Sequence, residues 1–120
     1  MTRKHRLARE RDFQRVFQKS RRWSNSYLTL RALANEYGFS RYGFVVSKAL
    51  GGAVVRNKVK RRLREITRRL TIQEGWDLVF IAKKGAAEAN FSQLVRSAEC
   101  LVQKASLLKR PVDAPSGGCH

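Results

Sequence analysis

Between Arg56 and Glu65 the chain reads RNKVKRRLRE, six bases in ten residues with a single acid. The apolar residues threaded through this stretch decide how it can fold. Val55, Val59, Leu63, Ile66 and Leu70 recur every three or four positions. At about 100° per residue they form one stripe less than a quarter-turn wide. The pattern predicts a helix over Ala53–Leu70 with one dry face that packs on a sheet. Asn57, Lys60, Arg61, Arg64 and Arg68 lie opposite the stripe, and Arg56, Arg62 and Arg69 flank it. A plainly solvated helix face mixes signs, with Glu placed four residues before Lys. Here the compensating acids are missing, so the face is built to lie against a polyanion. Glu65 is expected to bond to neighbouring arginines.

The rest of the charge points the same way. Net charge is +17, from 26 Lys and Arg against 9 Asp and Glu. Residues 1–22 hold nine bases and two acids, and residues 56–69 hold eight and one. Two dense basic elements therefore sit on an ordinary small domain. Nucleic acid is the expected partner. An anionic membrane is the rival, but no apolar run is long enough to span a bilayer and the basic helix face has no Trp or Phe anchor. The basic N-terminus lacks the apolar segment of a secretion signal, and Glu10 and Asp12 argue against an import peptide. Cys100 and Cys119 make no disulfide framework, which fits a reducing cytoplasm. A chain of 120 residues, 42% hydrophobic, is one domain with a modest core.

Other elements follow from periodicity. A basic arm over residues 1–10, anchored by Leu7, leads into a first helix, DFQRVFQKS. Asp12 sits near its start, Phe13, Val16 and Phe17 share a face, and Arg11, Arg15 and Lys19 repeat every four residues on a neighbouring one. Trp23 begins a short strand. Tyr27–Ala34 and Arg41–Ser47 are strands, with a turn between them at Gly38. In the second, Tyr42, Phe44 and Val46 point one way, and Gly43, Val45 and Ser47 the other. The small face either leaves room for a ligand or receives a packed helix. Gly51 and Gly52 do not form a Walker loop, since no GKS or GKT follows. WDLVFIA, Trp76–Ala82, reads as a central strand. Asn90 caps a last helix over Phe91–Ser106, with Gln93 placed for the reciprocal bond. The order is αβββαβα, a small single-domain α+β sandwich. The body spans residues 11–107 and residues 108–120 form a flexible tail.

Catalytic chemistry is hard to find. His5 lies in the basic arm and His120 is the last residue. No histidine or cysteine pair has metal-ligand spacing, and Glu65 and Asp77 have no paired spacing that would hold two metals. Binding of RNA is favoured over a self-sufficient nuclease.

The chain also resembles a known family. Arg56-Asn57-Lys58, followed by Val59-Lys60-Arg61 and Arg64-Glu65, is similar to the arginine-asparagine-arginine signature of the protein subunit of bacterial ribonuclease P. YGFVVSKALGGAVV resembles that family's strand and connector, RLARERDFQRVF its N-terminal segment and first helix, and GWDLVFIAKKGAA its later strand. The likeness covers about residues 5–105. Lys58 stands in place of an arginine, Gly52 where asparagine is common and Ala49 where a second lysine is common. Lys58 keeps the charge and loses the planar fork.

The resemblance implies a four-stranded mixed sheet with a left-handed crossover around the signature helix. It implies the RNA-binding subunit of the ribonucleoprotein endoribonuclease that removes the 5′ leader from precursor tRNA. The catalytic RNA performs the hydrolysis with Mg²⁺, so the protein alone is non-catalytic and binds no metal tightly. The partners are catalytic RNA and precursor tRNA, with no membrane, and the free protein is expected to be a monomer. For the catalytic RNA the candidates are Arg56, Asn57, Lys58, Lys60, Arg61, Arg62, Arg64 and Arg68. For the leader they are Phe13 and Phe17 by stacking, Arg11 and Arg15 at phosphates, then Arg31, Tyr42, Phe44 and Lys48. The alternative is a general RNA-binding or ribosomal protein without a leader-specific role.

Overall fold

The computed structural model describes residues 5–109. The elements are α1 (Glu10–Lys19), β1 (Arg21–Ser24), β2 (Leu28–Ala34), β3 (Arg41–Val46), α2 (Ala53–Arg69), β4 (Trp76–Ala82) and α3 (Phe91–Lys104), with short 3₁₀ turns at Lys48–Leu50 and Lys84–Ala87. The αβββαβα order holds. The first helix begins at Glu10, two residues ahead of Asp12, so both carboxylates lie in its first turn beside the exposed amides. The capping box at α3 forms as read: Gln93 N donates to Asn90 Oδ1 at 2.9 Å, and Asn90 N donates to Gln93 Oε1 at 2.8 Å.

The sheet order is β1-β2-β4-β3. β1 with β2 and β2 with β4 are antiparallel, whereas β3 with β4 is parallel. Parallel neighbours need a crossover, and α2 supplies it. β4 is paired on both edges and covered on both faces, which is why its sequence is apolar without alternation.

One face carries the main core. Leu28, Leu30, Leu78 and Phe80 meet Val59, Leu63 and Ile66 of α2 and Leu94, Ala98 and Leu101 of α3. The stripe predicted for α2 is the face buried here, with Thr67 added and its ends, Val55 and Leu70, only half-buried. The other face carries a small core of Leu7, Val16 and Val79, edged by Phe13, Leu33, Val45 and Ile81. α1 crosses the sheet there.

The basic arm is not separate from this body over its described part. Leu7 is buried, and its N–H donates to Tyr42 O at 2.8 Å along the outer edge of β3. Leu108 likewise pairs with Ile72, and Lys109 N donates to Thr71 O. Residues 1–4 of the arm and 110–120 of the tail, including Cys119 and His120, lie outside the described residues.

Candidate nucleic-acid interface

The outward face of α2 follows from its dry stripe. With Val59, Leu63 and Ile66 held in the core, Asn57, Lys58, Arg61, Arg64 and Arg68 are exposed, and Arg56, Lys60 and Arg62 are half-buried. Glu65, the only acid on the helix, bridges to Arg68 at 2.9 Å and Arg69 at 3.1 Å. Arg62 Nη1 donates to Ala89 O at 3.0 Å, which fixes one edge of its guanidinium. Arg61, Arg62, Arg64, Glu65 and Arg68 line a depression of ≈ 620 Å³ together with Arg6 and Phe91. Sequence reading missed those two. Arg6 arrives from the arm and Phe91 stands at the start of α3; nothing local to either marks the depression.

On the other face of the sheet, α1 lies over β3, β4 and β2. The Phe13 ring rests on Gly43, so the glycine receives a packed side chain, one of the two roles open to that small face. Phe17 is 40% exposed. The Arg31 guanidinium lies 5.2 Å from the Phe17 ring centroid, and its Nη1 donates to Phe17 O at 3.2 Å. Beside α1, the row formed by Thr29, Ile81 and Val45 in register across three strands is only half-buried. Because α1 stands above the sheet and leaves this row partly uncovered, Phe17 and Arg31 edge a step beside the helix, the α1 recess, floored by Thr29, Ile81 and Val45. Arg31 Nε is buried there without a hydrogen-bond partner.

The remaining leader candidates do not join this recess. Arg11 and Arg15 are exposed. Each lies two residues from Phe13, so they project from the far side of α1. Tyr42 and Phe44 pair with Leu78 and Phe80 on the α2 side of the sheet, where the Phe44 and Phe80 rings stack at 6.1 Å. Burial pushes the Tyr42 phenol up to about 12, with the Glu74 charge adding to the shift and the Ser40 hydroxyl opposing it. Lys48 is exposed on the turn after β3. One feature does link the two sides. A groove of ≈ 370 Å³ wraps the edge of β3, with Phe13 and Gly43 on one flank and Tyr42, Phe44, Lys60 and Arg64 on the other.

A buried ion pair lies under α1. Arg41 Nε donates to Asp77 Oδ1 at 2.9 Å and Arg41 Nη2 to Asp77 Oδ2 at 2.7 Å. Asn35 Nδ2 adds a bond to Asp77 Oδ1 at 2.9 Å, and Arg41 Nη1 reaches Asp12 Oδ2 at 3.4 Å. The hydrogen bond to Asp77 is the main cause that raises Arg41 above its ordinary value, against the opposing effect of burial.

Among the described residues, no group of three or more His, Cys, Asp or Glu is placed to hold a metal ion, and no helix is long and apolar enough to cross a membrane. A family model described as Ribonuclease P matches residues 1–106. The ribonuclease P protein component of Roseiflexus castenholzii is 44% identical over 115 residues, covering 93% of this chain and 94% of its own. That of Dehalococcoides mccartyi strain 195 is 37% identical over 110 residues, 92% of each chain. The structure of the Staphylococcus aureus RNase P protein superposes with a TM-score of 0.80 at 31% identity, covering 88% of this chain and 98% of its own. That of the Thermotoga maritima protein gives 0.76 at 33% identity, covering 82% and 96%. The signature on α2, the sheet order and these likenesses together establish that the chain belongs to the ribonuclease P protein family.

Proposed function

We propose that the two basic surfaces of this chain serve two different RNAs. As a family member the chain is the RNA-binding, non-catalytic subunit of the ribonucleoprotein endoribonuclease that removes the 5′ leader from precursor tRNA. In our reading the α2 face takes the catalytic RNA. Arg56, Asn57, Lys58, Lys60, Arg61, Arg62, Arg64 and Arg68 contact its phosphates and base edges, with Arg6 and Phe91 at the margin. Arginine forks suit phosphate, and an exposed asparagine both donates and accepts. The recess beside α1 takes the leader. Phe17 offers a partly exposed ring for stacking, which tolerates varied bases, and Arg31 supplies a cation beside it. Arg11, Arg15 and Lys48 act on phosphates outside the recess. Tyr42 and Phe44 contribute only where RNA follows the groove around the edge of β3.

The observation that carries this reading is the separation of the two surfaces. The sheet lies between the cationic face of α2 and the aromatic recess of α1. Mg²⁺ belongs to the catalytic RNA in this account, and the free protein is a cytoplasmic monomer. Reconstitution with a bacterial ribonuclease P RNA tests the reading. Leader removal at low Mg²⁺ should require the protein, and the protein alone should not cleave. Equal affinity of the loaded complex for precursor and mature tRNA would favour a generic RNA-binding protein instead.

A further inference from the structure

α1 is held to the sheet by an arginine at each end. Near its start, Asp12 accepts from Arg41 at 3.4 Å, the one ion pair that joins a helix to the sheet among the described residues. At its last turn, Arg31 Nη1 donates to the Phe17 carbonyl at 3.2 Å and lies 3.5 Å from Ser20 Oγ. Val16, between the two ends, is fully buried. The two arginines differ in how firmly they are themselves held. Arg31 has a buried Nε without a partner. Arg41 is gripped through two nitrogens by Asp77, whose side chain is 1% exposed. Tyr37 lies against the Arg41 guanidinium, 4.4 Å from ring centroid to carbon. Asn35 from the end of β2 steadies Asp77 in turn. Arg41 is therefore a fixed post, and Asp12 is the group on α1 that meets it.

Where that post stands decides where Phe13 and Phe17 stand. Asp12 is adjacent to Phe13, whose ring seats on Gly43 two residues along β3 from Arg41. Phe17 follows one helical turn later. We propose that Asp12, held by the Arg41–Asp77 pair, is a positioning residue for leader recognition: it fixes α1 at the angle that keeps the recess open beside Phe13 and Phe17. It touches no leader atom. This inference rests on the reading of that recess as the leader site.

The sign of one substitution separates this role from the alternatives. Asp12→Asn removes a negative charge from the α1 side of a protein that binds an anionic chain. If Asp12 acted only through its charge, the substitution would strengthen leader binding, most at low salt. If the ion pair served stability alone, unfolding would shift and the leader profile would not. Positioning predicts weaker leader binding at unchanged affinity for the catalytic RNA.

The experiment measures affinity of the reconstituted holoenzyme for precursor tRNA with leaders of increasing length and for leaderless tRNA, at two salt concentrations. Asp12→Asn should lose roughly three- to tenfold of the leader-dependent gain, part of the roughly 5- to 150-fold that one base–aromatic stack carries. Arg41→Lys, which keeps the charge beside Asp77 but loses the fork, should lose leader affinity in the same pattern. A leader profile in Asp12→Asn equal to or stronger than wild type would overturn the positioning role. A wild-type holoenzyme that gains nothing from a leader would overturn it together with the leader-site reading, and the wild-type curve alone tells the two failures apart.

Discussion

The Phe13 ring occupies the space where a side chain on Gly43 would stand: a β-carbon there would fall 2.6 Å from Phe13 Cε1 and 3.3 Å from Leu7 Cδ2. Gly43→Ala must therefore push the ring away from the sheet. Overpacking of this kind costs about 1–3 kcal/mol. The variant should unfold at lower urea with an unchanged slope, and its leader affinity should fall because the Phe13 ring has moved. A midpoint equal to wild type would show that the contact between Phe13 and the strand is not fixed.

The two classes of ion pair should behave differently. The Arg41–Asp77 side chains are 13% and 1% exposed, whereas those of Arg68 and Glu65 are 64% and 34% exposed. Asp77→Ala leaves a largely buried guanidinium without its main partner and should destabilise by roughly 3–5 kcal/mol. Glu65→Ala should cost about 1 kcal/mol or less. Comparable losses in chemical denaturation would contradict the assignment of Arg41–Asp77 as the pair that holds the sheet under α1.

Arg61→Ala and Arg64→Ala together should leave stability nearly unchanged, since both side chains are exposed and the stripe of α2 is untouched. Affinity for the catalytic RNA should fall. The slope of log affinity against log salt should shrink by roughly one to two, as each lost phosphate contact no longer releases counterions. A folded double variant with the wild-type slope would remove these residues from the interface.

Alkaline titration reports on Tyr42. Its phenol is raised to about 12, first by burial and then by the Glu74 charge. The ordinary value is about 10. Because the folded pKa is the higher one, the neutral phenol's contribution is fully present below about pH 10 and disappears as pH rises through about 12. Phenolate absorbance of wild type minus Tyr42→Phe should show one late-ionising group. A difference spectrum that titrates near pH 10 would mean that Tyr42 is open to water.

The sequence made some of this plain and hid the rest for identifiable reasons. α2 was legible because its apolar spacing and its missing acids are local properties of one helix. β4 was legible because a strand covered on both faces has no need of polar positions. The Asn90–Gln93 box needs only four residues. Tyr42 and Phe44 were harder. Alternation along β3 separates them from Gly43 and Val45, but which side faces α1 depends on pairing with β4 and on the helix that lands there. Aromatic residues suit a core as well as a stacked base, so their type did not decide it. Arg41 and Asp77 are 36 positions apart and meet only because α2 carries the chain back to a parallel neighbour. Arg6 and Phe91 reach the α2 depression from distant segments, with no local periodicity to mark them.

The central claim is that the α1 recess holds the leader while the α2 face holds the catalytic RNA, and Phe17 tests it most directly. At 40% exposure its truncation should cost less than the roughly 3–5 kcal/mol of a fully buried phenylalanine. The measurement is the affinity of the reconstituted holoenzyme for precursor tRNA as leader nucleotides are added one by one. Wild type should gain affinity over the first few nucleotides. Phe17→Ala should gain less, by roughly 1–3 kcal/mol for one lost stack, while its affinity for the catalytic RNA and for leaderless tRNA stays the same. An unchanged leader-length profile in a folded Phe17→Ala protein would contradict the account and leave Phe17 as a packing residue of α1.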